Sequence, residues 1–237
     1  MKALIKSKPI ILTLLVFSVF SFLSCDKKKS STRPEDTTGT ITDIDGNPYS
    51  IVRIGNQWWM AENLKVTHYR NGEVIPNVTD NNTWSNFATG ACCSYDNDDN
   101  NVETYGRLYN WHAVNDSRGI APEGWHVPSD EEWKVLAEYL GGKEVAGGKM
   151  KESGTEHWNE PNINATNESG FLALPGGCRK KDGIYHLFFS SAYFWSSTAF
   201  DESRAISRGL LSENSELGRN YYFSYKKNGF SIRCVKN

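Results

Sequence analysis

Three oxygen-bearing side chains at alternate positions, Asp96, Asp98 and Asn100, give this chain its clearest hint of metal chemistry, since a calcium loop gathers hard ligands from every second residue. The rest of such a loop is missing. Asn101 stands where a glycine is needed for the turn, and Arg107 stands where a bidentate glutamate belongs. A solvated acidic loop is therefore the favoured reading, with calcium kept as the alternative and no cofactor expected. Covalent chemistry is sparser still. The five histidines are scattered singly, and no Gly-x-Ser-x-Gly, His-Glu-x-x-His or phosphate-loop motif occurs. His126, between Trp125 and a helix cap, is read as structural. Sugar recognition needs only aromatic faces beside amides and charges. Trp84, Trp158 and the Tyr221-Tyr222 pair lie in polar, turn-rich stretches and are the ligand candidates.

The N-terminus speaks about compartment. Lys2, Lys6 and Lys8 precede an apolar run over residues 10–23 that is too short for a comfortable membrane span, and Ser24-Cys25 closes it as a loose lipobox. Residues 1–24 are expected to be a lipoprotein signal peptide and Cys25 the lipidated first residue. Residues 25–38, rich in Lys, Ser, Thr, Pro and acid, form a flexible tether, and residues 39–237 form one folded domain. The anchor is the lipid on Cys25, and the expected location is the cell envelope, at the outer membrane. The net charge of −2, lower once the leader lysines are gone, leaves no basic stripe for nucleic acid.

Eight Trp, eleven Tyr and eleven Phe beside twenty Gly describe a chain of short strands and turns with aromatic anchors. Turn residues separate β-rich runs over residues 40–64, at Lys181-Asp182-Gly183 and at Lys227-Asn228-Gly229, the last predicting a closing C-terminal hairpin in which Phe230, Ile232 and Cys234 share a face. Two helices are expected. Ser129-Asp130-Glu131-Glu132 is a capping box, with Trp133, Leu136, Ala137 and Leu140 as the buried stripe and Gly141-Gly142 as the stop. The second covers residues 105–114, where Gly106 is a weak point. The class is α+β with mostly antiparallel strands.

Seven segments then carry a family resemblance: Trp59-Met60-Ala61-Glu62-Asn63-Leu64, Tyr105-Gly106-Arg107-Leu108-Tyr109-Asn110-Trp111, residues 124–133, Asn167-Glu168-Ser169-Gly170-Phe171, Leu174-Pro175-Gly176-Gly177, Trp195-Ser196-Ser197-Thr198 and residues 229–235. In this order they resemble the Fibrobacter succinogenes major paralogous domain of secreted or lipid-anchored proteins. The resemblance implies a C-type-lectin-like fold and leaves activity to be argued from sites. It makes Trp59, Trp111, Trp125, Trp133 and Trp195 core residues.

The stretch around His126 is also similar to formylglycine-generating enzymes, whose paired reactive cysteines have no counterpart here, so an enzyme on that scaffold is disfavoured. Glu160-Pro161-Asn162 echoes the calcium-and-sugar triplet of mannose-type lectins but lacks their Trp-Asn-Asp strand, and an ordinary proline turn is preferred. In an oxidising compartment Cys92, Cys93, Cys178 and Cys234 are expected to pair. Adjacent Cys92 and Cys93 face opposite ways, and the family pattern implies Cys93 with Cys234 and Cys92 with Cys178. The expected function is a non-enzymatic binding or adhesion domain, with glycan as ligand. The alternative is a scaffold for other envelope proteins.

Overall fold

In the computed structural model, which describes residues 37–220 and 222–237, Asp43 shapes the first hairpin. Its carboxylate accepts hydrogen bonds from the backbone N–H groups of Asp45 and Asn47 at 2.9 and 3.0 Å and from the Tyr49 hydroxyl at 2.6 Å. That turn, with Gly46 at φ 82°, reverses the chain between β1 (Thr38–Thr42) and β2 (Pro48–Ile54). Gly55-Asn56 then leads into β3 (Gln57–Met60), as the turn residues predict. The signal segment, Cys25 and the tether up to residue 36 lie outside the described residues, as does Tyr221.

The remaining strands are β4 (Cys92–Cys93), β5 (Leu108–Tyr109), β6 (Trp125–His126), β7 (Cys178–Arg179), β8 (Tyr185–His186), β9 (Ser191–Ala199), β10 (Ala205–Leu211), β11 (Gly218–Asn220) and β12 (Val235–Lys236). Apart from β9 and β10 they are short. All strand pairs are antiparallel. The main sheet has the order β1-β2-β3-β12-β6, so the C-terminal strand lies beside the N-terminal hairpin, and β11-β10-β9 form a second sheet. A closing C-terminal hairpin does not form. Gly229, Phe230 and Ser231 instead bridge to Arg179, Tyr109 and Phe194 in three different segments, which draws this stretch across the molecule and away from its own predecessor. Phe230, Ile232 and Cys234 do share a core face, as alternation predicts.

Five helices, where two were expected, occur among the described residues: α1 (Asn81–Asn86), α2 (Asn100–Tyr105), α3 (Trp111–Val114), α4 (Asp130–Tyr139) and α5 (Lys143–Met150). The capping box of α4 forms as expected, Glu132 N–H donating to Ser129 Oγ and Ser129 N–H to the Glu132 carboxylate at 2.8 Å. The single helix over residues 105–114 does not exist. Gly106, at φ 72°, passes so close to Asn63 that a Cβ there would lie 2.6 Å from the asparagine Cβ, and the chain turns into β5 before Asn110 caps α3. α5 forms even though it contains Gly147-Gly148, a pair that disfavours helix. Both glycines are packing requirements, since a Cβ on either would come within 2.5 Å of a carbonyl oxygen, of Glu216 or of Asn164.

The family-motif tryptophans Trp59, Trp111, Trp125, Trp133 and Trp195 are all buried, as expected. Trp59 and Trp133 meet at 4.7 Å between centroids over Phe171, forming the centre of one core. A second core gathers Tyr49, Tyr109, Trp195 and Phe230, and a third lies around Trp84, Tyr95 and Leu108.

The cysteines correct the expected disulfides: Cys92, Cys93, Cys178 and Cys234 are all free and buried. β4 does send Cys92 and Cys93 to opposite sides, but Cys93 enters the Trp84 core while Cys234 lies in the Tyr109 core, so that pairing is not made. Cys92 and Cys178 share a core without a bond, and the Cys92 thiol donates to the Ile75 carbonyl at 3.7 Å. Burial pushes the Cys92 thiol up to about 12 and that of Cys178 to about 11, and it raises Cys93 and Cys234 in the same direction. The thiols behave as small apolar groups. They are therefore expected to resist alkylation in the native protein, to react fully in denaturant without reductant, and to leave the melting temperature indifferent to dithiothreitol. A disulfide-linked peptide in a non-reducing digest would contradict this.

Candidate functional site

Two turns of nearly the same sequence, Lys180-Lys181-Asp182-Gly183 and Lys226-Lys227-Asn228-Gly229, define the most distinctive surface of the molecule. The first joins β7 to β8, with Gly183 N–H donating to the Lys180 carbonyl at 2.9 Å. The second is closed by Asn228 N–H on the Tyr225 carbonyl at 2.8 Å. Reciprocal backbone bonds of 3.0 and 2.7 Å between Arg179 and Gly229 hold the two turns side by side.

Adjoining cavities run along this surface. One, of about 260 Å³, has Tyr193, Cys178 and Phe230 in its lining and Tyr222 and Phe223 at its mouth, the last two 63% and 78% exposed. Tyr193 stacks on Phe230 at 5.2 Å, which fixes its ring as a platform. Towards β10 and β11 the space continues past Asn220 and Glu216. Gly209 keeps this passage open. A Cβ there would meet the Asn220 amide at 2.7 Å and the Tyr193 ring at 3.1 Å. In the other direction Lys180 and Phe223 also line a cavity of about 380 Å³, which shares Lys181 and Tyr225 with a further one of about 270 Å³ beside His112, Lys226 and Lys227.

Leu187, which lines one of these cavities, and Phe189 two residues on, at φ 63° and 61°, hold a backbone conformation that bulky residues rarely adopt. Hydrogen bonds from Phe189 N–H to the Pro175 carbonyl and from Ser191 N–H to that of Leu187 hold the segment. Electrostatically the groove is positive. Burial, helped by the charges of Lys226 and Lys227, holds the His112 imidazole below its usual pKa. Arg219, at the far end, donates to the Asp130 carboxylate at 2.8 and 3.0 Å. Cys178, protonated through burial, offers no nucleophile.

Of the ligand residues read from sequence, Tyr222 stands at the mouth of the groove. Trp84 and Trp158 do not belong to any exposed face. Each is 1% exposed, and their indole N–H groups donate to the Lys227 carbonyl at 2.8 Å and the Ala173 carbonyl at 2.9 Å. Both pin loops from beneath, so their polar sequence neighbours describe the loop and not the ring. Asp98 accepts from the backbone and the amide of Asn100 at 3.0 and 2.8 Å, an Asx turn that accounts for the alternating acids, while Asp96 sits in a neighbouring 3₁₀ turn at φ 52°.

Among the described residues Glu152, Glu156 and His157 bring ligand atoms within 4.8 Å of one another, with His157 Nδ1 on the Glu152 carboxylate at 2.8 Å. His126 bonds Asn237 and Glu132, each at 2.7 Å, consistent with a structural part. The lysine pairs, Tyr193 and Phe223 were missed. The signal was present in the repeated Lys-Lys-(Asp/Asn)-Gly string, which predicts turns and also loads each with two charges.

The family model for the Fibrobacter succinogenes major domain matches residues 52–236, and the chain belongs to that family. No curated protein and no solved structure matches it significantly.

Trp84→Ala and Trp158→Ala are expected to destabilise the fold by about 3–5 kcal/mol each, the usual loss for a buried indole, as read from urea unfolding. A change below about 1 kcal/mol would return these rings to the surface.

Proposed function

We propose that this member of the Fibrobacter succinogenes major domain family is a non-enzymatic, lipid-anchored envelope protein whose lectin-like domain binds glycan along the groove between β11 and the two lysine turns. The observation that carries the reading is the pairing of exposed Tyr222 and Phe223 with the fixed Tyr193 platform, beside Asn220. A sugar stacks its C–H face on such rings while amides and charges bond its hydroxyls. Tyr222, Phe223 and the lysine pairs come from turns and loops, where a lectin-like scaffold can vary without disturbing its core.

Glycan-array binding with the full chain tests the reading. Phe223→Ala and Tyr222→Ala are each expected to weaken binding by about 1–3 kcal/mol with the melting temperature unchanged, because both rings are exposed. No glycan binding at any concentration would move the reading to a protein-interaction scaffold, to be pursued by pull-down from envelope extracts.

Anchoring is tested separately. Cys25→Ala is expected to abolish incorporation of labelled palmitate and to release the protein from the detergent phase, since two or three acyl chains hold far more firmly than one. Unchanged labelling would remove the lipid anchor.

A further inference from the structure

The groove has a sign as well as a shape. Lys180, Lys181, Lys226 and Lys227 all line its cavities, and among the described residues no carboxylate forms a salt bridge with any of them. Their positions are set by the protein interior. The Arg179–Gly229 backbone pair brings the two turns together, Lys181 Nζ lies 3.8 Å from the centroid of Tyr225, and Lys226 Nζ lies 4.6 Å from that of Trp111. Lys227 donates to the Ser85 carbonyl at 2.6 Å, so this ammonium too is held in place. Asp182 and Glu202 are the acids in the same stretch, and Asp182 already accepts from Ile184 N–H at 3.0 Å. Along the lysine cavities four ammonium groups against two carboxylates leave a net positive stretch on a chain whose overall charge is −2, with Glu216 lining the passage beyond Asn220.

We infer that the glycan is an acidic polysaccharide, its backbone stacked on the Tyr193 and Phe223 end and its carboxylates held by the Lys180-Lys181 and Lys226-Lys227 turns. This rests on the glycan reading above and gives it a chemical class. Lysine suits the task because a flexible ammonium meets carboxylates spaced along a polymer without the fixed fork of arginine. The occupant is a polymer because the cavities are open and adjoining, so a chain can cross several of them where a single sugar would fill one. Lysine pairs facing a row of uronate carboxylates also explain why a mildly acidic protein keeps these charges clustered on two turns.

The experiment titrates the full chain with polygalacturonate and with a neutral glucan of matched length, at low salt and at ~0.5 M NaCl, where the Debye length falls to about 4 Å. The polyuronate is expected to bind at least about tenfold more tightly than the neutral polymer at low salt and to lose most of that advantage at high salt. The double variant Lys181→Gln/Lys226→Gln should lose about tenfold in polyuronate affinity and far less in affinity for neutral glucan, and Lys181→Arg/Lys226→Arg should restore most of the polyuronate affinity through charge. Both variants are read beside their melting curves. Should the glutamine pair unfold, Lys180→Gln alone carries the same expectation at smaller magnitude.

Equal, salt-indifferent binding of both polymers would overturn the acidic class and leave the glycan reading standing. Binding of neither by a folded protein would overturn both. Polyuronate binding unchanged by the lysine variants would overturn the placement, and preference for inorganic polyphosphate over polyuronate would overturn the choice of carboxylate polymer.

Discussion

The guanidinium of Arg233 ties the edge of the main sheet's β3 and last strand to a loop that no strand pairing joins to them. Its Nη1 donates to the carbonyls of Met60 at 3.1 Å and Phe171 at 2.6 Å, its Nη2 to that of Leu172 at 2.9 Å, and its Nε to Asn63 Oδ1 at 2.6 Å. One side chain therefore fixes the approach to the last strand against the end of β3 and against the loop that carries Phe171. Burying a cation is costly unless every donor finds an acceptor, and burial pushes this group down to about 9, which still leaves it charged at neutral pH. Two further cations repeat the device. Arg179 collects the carbonyls of Gly183, Val78 and Thr79 with Asn81 Oδ1, and Lys151 collects those of Ile163, Leu211 and Asn214.

The reason lies in how little regular ladder the chain builds. Several strands are two residues long, so long stretches of backbone carry carbonyls that no neighbouring strand satisfies. In a fold of this kind a buried donor with three or more N–H groups does the work that a sheet does elsewhere, and it does so between residues far apart in sequence. Arginine fits best because its fork is rigid, so less freedom is lost per bond made. Lys151 is the exception. Desolvation pushes its ammonium down to about 8, while three carbonyl acceptors favour the charged form.

This also explains what could be read from the sequence. The turn after Thr42 that carries Gly46, the Ser129 capping box and the shared face of Phe230, Ile232 and Cys234 are local patterns, and each formed as its pattern predicts. Arg233 lies between Ile232 and Cys234, where alternation alone would turn it outward, yet it is 1% exposed because its acceptors sit at residues 60, 63, 171 and 172. No local window contains that information. Gly106, the weak point of an expected helix, does end it, whereas Gly147-Gly148 lie inside a helix that local propensity disfavours. In both cases the deciding contact was with a distant segment.

Trp84 shows how core and groove depend on each other. Its ring lies under the Arg179 guanidinium at 4.4 Å, its N–H holds the Lys227 carbonyl, and a Cβ on Gly229 would come within 3.1 Å of it. Arg179 meanwhile bonds the Gly183 carbonyl in one lysine turn and pairs its backbone with Gly229 in the other. A buried aromatic and a buried cation thus set the spacing of both charged turns without touching anything bound between them. Loss of binding on changing Trp84 would report the collapse of that spacing. Only exposed residues such as Phe223, or lysines whose charge can be removed with the backbone intact, can separate contact with a ligand from support of the surface that meets it.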